Sequence, residues 1–260
     1  MVMHLIDTHT HVDSPKFDID RDHELSLSRQ LGVDKMIVLA VRQSGWSRLL
    51  RLVEQEDNLY AAFGLHPLYL AEHQLEHLTQ LRTFCEKLKS YNRFCAIGEC
   101  GLDYFAPNLD RQKQQYLLEE QLKLAKDLHV PVLLHVRRAH AVMIATLKRF
   151  QLPQKGIIHA FSGSREEAQE YLKLGFKLGL GGAATWPQAL RLRRVIASLP
   201  LDSFVLETDA PDMAPAMYPN QRNNPRHLVD ICHVLADILA VAPEELAHHA
   251  TYNTMQLFSW

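Results

Sequence analysis

Seven side chains able to bind a metal or move a proton recur at one kind of place along this sequence: the end of a short apolar run. His9 and His11 follow HLID, Glu99 follows FCAIG, and His135 closes PVLLH. His159 follows GII, and Glu207 and Asp209 close SFVLETD. His9 and His11 stand at i and i+2, so on a strand both imidazoles share a face and can reach one ion. Asp7 has the same parity and is expected to orient an imidazole from behind. Glu207 and Asp209 repeat the spacing, and two carboxylates facing a protein interior repel each other unless a cation is present. Glu99 has two oxygens and can bridge two cations. His135 and His159 would then complete the shell of the second ion. Mixed nitrogen and oxygen donors suit Zn, Mn or Mg, the last being least at ease with several imidazoles.

The elements that must carry these residues alternate regularly. The strand candidates are 3–7, 35–40, 59–64, 94–98, 131–135, 156–160, 176–181 and 203–208. Between them lie helical patterns, clearest over 111–129, where Leu117, Leu118, Leu122 and Leu124 fall near one face. Residues 164–175 begin with a capping-box pair, Ser164 and Glu167, and stop at Gly175. Eight near-continuous apolar strands alternating with helices imply a parallel sheet buried on both faces. An open doubly wound sheet fits that pattern too, but it would spread the strand ends over a wide line. A TIM (β/α)8 barrel gathers them on one face, and the fold expected is this α/β barrel, as one domain over residues 1–260.

Other residues near these ends have less specific chemistry. His66, in GLHP, is read either as a loop hydrogen-bonder or as a substrate contact. Arg137 shares the parity of His135 and is expected to meet a phosphate, whereas Arg138 should point away to solvent. Tyr104 reads as packing at the rim, and Trp186 as either the floor of a cleft or simple packing.

Composition narrows the function classes. The 260 residues include 47% hydrophobic and 22% charged side chains, with a formal net charge of −2, so no broad basic face is available to coat nucleic acid. The four cysteines form no CxxC pair, which fits thiols in a reducing compartment, and the cytoplasm is the expected location. Neither a signal peptide nor an apolar stretch of membrane-spanning length is evident, so no membrane association is expected.

The segments IDTHTHVD, AAFGLHP, AIGECGLDY, VPVLLHVRRAH, GIIHAFSGS, LGLGGAATWP and VLETDAPDM follow one another across nearly the whole chain. In this order they resemble the TatD-type DNases. The resemblance implies a monomeric TIM barrel with two divalent metal ions per chain. It assigns His9, His11, Asp209 and Glu99 to one ion, and Glu99, His135 and His159 to the other. Two departures stand out: Cys100 replaces the usual aliphatic residue or Thr, and Asn223-Asn224-Pro225 stands where many relatives carry an acid before the proline. The latter loop usually borders the cleft.

The expected reaction is phosphodiester hydrolysis by a water that the two metals activate, with Asp209 as general base and Glu207 positioning water or a ligand. Arg137 and His66 would neutralise a phosphate oxygen. The substrate expected is DNA ends or oligonucleotides, trimmed in the 3′-to-5′ sense typical of the family. The near-neutral net charge is compatible with end-trimming. The alternative is hydrolysis of a C–N or ester bond in a small molecule by an amidohydrolase-like enzyme.

Overall fold

The computed structural model describes residues 3–260. In chain order the elements are β1 (Leu5–Thr10), α1 (Arg21–Gln30), β2 (Val33–Leu39), α2 (Trp46–Gln55), β3 (Leu59–Phe63) and α3 (Glu76–Lys87). They continue as β4 (Phe94–Asp103), α4 (Arg111–Leu128), β5 (Val132–Arg137), α5 (His140–Phe150), β6 (Gly156–Ile158) and α6 (Arg165–Lys173). The last are β7 (Lys177–Leu180), α7 (Leu190–Ile196), β8 (Phe204–Leu206), α8 (Leu228–Leu239) and α9 (Pro243–Phe258). The strands form one eight-stranded sheet in the order β1 to β8, and β1 also contacts β8. This is the (β/α)8 arrangement.

Contact density divides the chain into two compact units. The first comprises residues up to 38, 160–165 and 177–260; the second comprises 39–159 and 166–176.

In the first unit, β1 is buried along its whole length and pairs in parallel with β2, Asp7 lying opposite Met36. β7 pairs with β8, Leu178 opposite Phe204. Strand β8 is shorter than its apolar run, ending at Leu206, so Glu207 and Asp209 belong to the loop that follows and not to a strand face.

In the second unit, β4 extends well past the run FCAIG and reaches Asp103, with all ten of its residues buried. Its pairing with β5 sets Gly101 opposite His135 and Asp103 opposite Arg137. The approach is so close that a Cβ on Gly101 would lie 1.9 Å from the His135 carbonyl oxygen. Helix α4 covers this sheet with Leu117, Leu118, Leu122 and Leu124, as its periodicity indicates. The same buried face carries Gln114 and Gln121, two turns apart. Gln114 accepts from the Asp103 N–H at 2.8 Å and donates to the Asp103 carbonyl at 3.0 Å. Gln121 accepts from the Leu65 N–H at 2.8 Å and donates to the carbonyls of Leu65 and Leu117. Each buried amide thereby completes the backbone where a strand has ended, which a hydrophobic residue of similar size would leave unsatisfied.

Substituting Gly101 by Ala is expected to destabilise the protein by about 3 kcal/mol, because the new methyl group meets backbone and not a yielding side chain. Urea unfolding monitored by circular dichroism measures this, and an unchanged midpoint would contradict the close approach.

Candidate metal centre

The first unit holds one group of ligand types. His9 is buried, and its Nε2 lies 3.7 Å from Asp209 Oδ1; the Nε2 of His11 lies 3.4 Å from the same oxygen. The two rings meet edge to face with centroids 5.1 Å apart. Nitrogen–oxygen separations of this size are long for hydrogen bonds and short enough for one cation to contact all three atoms, so the donor set fits a divalent ion.

The backbone that aims Asp209 is tightly held. Asp209 itself is left-handed, with φ of 57°, and its N–H donates to the His9 carbonyl at 2.8 Å. The preceding residue is clamped from two sides. Asp7 accepts from the Thr208 N–H at 3.0 Å and from the Thr208 hydroxyl at 2.5 Å, and the amide of Asn223 donates to the Thr208 carbonyl at 2.7 Å. Asp7 therefore orders backbone and not an imidazole, a correction to the sequence expectation; its remaining bond accepts from the His9 N–H. Burial raises the Asp7 pKa to about 7 despite these donors.

Glu207 is buried, and its Oε1 accepts from the Ala160 N–H at 2.6 Å. Its other oxygen fills the space that a side chain at Gly179 would take: a Cβ there would lie 2.2 Å from Oε2. His159 directly precedes Ala160 in the chain.

The second unit holds another group: His66, Glu99 and His135. His66 is buried. Its Nδ1 accepts from the Leu68 N–H at 3.1 Å, capping the 3-10 turn Pro67–Tyr69, so Nε2 carries the proton and donates to Glu99 Oε1 at 3.0 Å. It is thus set against the carboxylate, supporting it. His135 Nε2 lies 2.9 Å from Asp103 Oδ2, which leaves Nδ1 facing Glu99 Oε1 at 3.3 Å. Burial opposes ionisation of Asp103, but hydrogen bonds from His135 and from the N–H groups of Ala106 and Phe105 outweigh it, holding the carboxyl at about 2. His135 is correspondingly raised: burial lowers its pKa, and the carboxylates of Asp103 and Glu99 more than compensate. A carboxylate behind an imidazole fixes its tautomer and strengthens its free nitrogen as a ligand, so this pair also fits a cation. His159 stands outside the tight group of three, though its charge is felt at His135.

Asp103, the acid behind His135, is the residue that sequence reading passed over. The available signal was its spacing of four from Glu99, which on an extended strand gives the same face. Arg137 is exposed at the end of β5, and Arg138 does not point away from it: both guanidiniums lie on the ring of Phe105. Trp186 is half-buried, and its Nε1 donates to the Ala214 carbonyl at 3.1 Å, which gives it a packing role in the loop after β8.

A profile of the TatD related DNase family matches residues 6–259. The chain belongs to this family. Among the family's members, it is 42% identical to the metal-dependent hydrolase YjjV of Escherichia coli over 100% of the chain and 99% of that protein. The crystal structure of YjjV superposes with a TM-score of 0.95, covering all of both chains, and so shows the TIM-barrel fold. The 3′-5′ ssDNA/RNA exonuclease TatD of Pantoea vagans is 32% identical, over 98% of the chain and 99% of that relative. A TatD-family hydrolase from Entamoeba histolytica shares the fold, with 22% identity and a TM-score of 0.87 over 99% of each chain.

The segment Asn223-Asn224-Pro225 has a structural role. Asn223 and Asn224 are buried, the first bracing Thr208 and the second capping the 3-10 turn Pro225–His227 reciprocally with His227. His227 stacks on Tyr218 at 3.8 Å, and the Tyr218 hydroxyl donates to Asp230.

Asp103→Asn should weaken divalent-metal binding by about 10- to 100-fold, read by titration of the metal-free protein, because the neutral amide no longer supports His135. Burial, and then the Arg226 charge, lower the His227 pKa from 6.5 to about 4, with Asp230 opposing. Between these values the unfolded chain binds a proton that the folded one refuses, so this contribution is complete above pH 6.5 and fades as pH falls towards 4. The stability difference between wild type and His227→Gln should shrink across that window in denaturant titrations.

Proposed function

We propose that this metal-dependent hydrolase of the TatD family cleaves phosphodiester bonds at the ends of nucleic acids, using two divalent cations. The supporting observation is the pair of ligand groups. Each brings imidazole nitrogens and a carboxylate oxygen together, with His11–Asp209 at 3.4 Å and His135–Glu99 at 3.3 Å. The exonuclease activity that gives the Pantoea relative its name supports the choice of bond.

His9, His11 and Asp209 would hold one cation and Glu99 and His135 the other, with His159 as a further ligand. Divalent cations held by such donors act as Lewis acids, making water a better nucleophile near neutral pH and stabilising charge on phosphoryl oxygens. The chain's own groups do the rest. Asp209 is held at the His9 and His11 rings by its left-handed backbone, where its carboxylate can take a proton from the attacking water. Glu207 takes the Ala160 N–H with Oε1 and packs Oε2 against Gly179, so its part is to order the backbone around it. His66 holds Glu99 in orientation, and Arg137 supplies donors for a non-bridging phosphate oxygen.

Glu99→Gln is expected to abolish turnover while leaving the protein folded. If Glu99 serves both cations, the metal content of the variant falls from two to none per chain; if it serves one, to one. Elemental analysis of protein purified without chelators gives that number. The bond type is tested by offering the metal-loaded protein 3′-labelled single-stranded DNA beside cyclic amides, esters and lactones. Turnover of the small molecules alone would refute the phosphodiesterase reading.

A further inference from the structure

Strands β4 and β5 end in a patch of strong positive charge mounted on aromatic rings. Phe105, two residues past Asp103, is 45% exposed. The Arg137 Cζ lies 3.8 Å from its ring centroid and the Arg138 Cζ 4.6 Å. Tyr104, the residue before it, carries the Arg111 Cζ at 4.4 Å, and its N–H donates to the Arg137 carbonyl at 2.8 Å. Three exposed guanidiniums are thus fixed on two consecutive rings, and among the described residues none of the three has a carboxylate within ion-pair distance.

The arrangement depends on an unusual backbone. Consecutive strand residues point to opposite sides, which should separate Arg137 from Arg138. Arg138, just beyond the end of β5, instead takes a φ of 52°, a conformation that side chains other than glycine seldom adopt. That turn brings its guanidinium back onto the ring that Arg137 already occupies. Strained residues persist where the surroundings impose them, and they concentrate at ligand clamps.

We propose that Arg137, Arg138 and Arg111, mounted on Phe105 and Tyr104, form a clamp for the phosphate backbone of a polynucleotide, Arg137 meeting the phosphate being cleaved and the other two gripping its neighbours. The clamp rests on the phosphodiesterase reading given above. One phosphate would need only one of these side chains; three grouped guanidiniums suit a chain of anions. A guanidinium lying on a ring has less freedom to lose on binding, and its N–H edges stay available for phosphate oxygens. With a net charge of −2, the protein's attraction for a polyanion must come from a local patch such as this one.

The test uses metal-loaded full-length protein and a fluorescent phosphorothioate oligothymidylate, with binding followed by anisotropy across a salt series. Arg138→Gly should reduce the slope of log Kd against log salt by about 0.7, the value for one phosphate contact on a single strand. Because glycine accepts a φ of 52° freely, this variant should retain or raise its thermal midpoint, separating lost binding from lost structure. Phe105→Ala, which frees both guanidiniums, should weaken binding about threefold, and Phe105→Tyr should restore it. Unchanged slopes and affinities in Arg138→Gly and Phe105→Ala would overturn the clamp, as would a dependence on these residues for polyglutamate that is absent for the oligonucleotide. A cleavage assay keeps the two readings apart. If wild type cuts no oligonucleotide, the phosphodiesterase reading fails and the binding series alone decides the clamp. If it cuts, the variants should lose the preference in kcat/KM for an oligonucleotide over a dinucleotide; a preserved preference overturns the clamp alone.

Discussion

A carboxylate removed from water needs either donors or a cation, and this requirement governs the chain wherever its strands end. Asp7 within β1, Glu99 within β4, Asp103 at the end of β4 and Glu207 just past β8 are all buried. Asp7 takes the Thr208 N–H and hydroxyl, Asp103 takes two loop N–H groups and an imidazole, and Glu207 takes the Ala160 N–H. Each acid consequently orders the backbone around it. Beside Asp209 and Glu99, imidazole nitrogens stand at 3.3 to 3.7 Å from a carboxylate oxygen, the positions that a cation would join.

The same requirement explains the polar residues on otherwise apolar surfaces. Gln114 and Gln121 interrupt the leucine face of α4 because strand hydrogen bonding stops at Asp103 and Leu65 before the backbone reaches solvent. Asn223 does the same for Thr208 from the loop after β8. The lengths of the strands are therefore set at their ends by side-chain amides and carboxylates, and these fix the aim of the residues that follow.

Much of this was legible in the sequence, and the parts that were not share a cause. The apolar runs located all eight strands, and the placing of His9, His11, Glu99, His135 and Asp209 at their ends singled out the metal-ligating types. Periodicity extends only as far as the apolar pattern does. It stopped β4 at Gly98, whereas hydrogen bonding carries the strand to Asp103, and the acid behind His135 was missed with it. It carried β8 through Thr208, whereas the strand stops at Leu206 and Asp209 turns left-handed, so the i, i+2 argument for Glu207 and Asp209 assumed a geometry they do not have. Arg138 escaped for the same reason, since alternation rules hold within a strand and lapse at its first left-handed residue. The second partners of His66 and Asp7 depend on tertiary contacts that no local pattern encodes.

Gly179 and Glu207 illustrate what such contacts mean over longer spans of time. One position is empty of side chain because the other's carboxylate occupies its volume, and that carboxylate cannot retreat without releasing the Ala160 N–H. Neither residue is free to drift alone. Descendants of this chain that acquire a methyl group at 179 must shorten the acid at 207, and lineages that give up the acid are released to enlarge the glycine, so the two should be inherited as a linked pair.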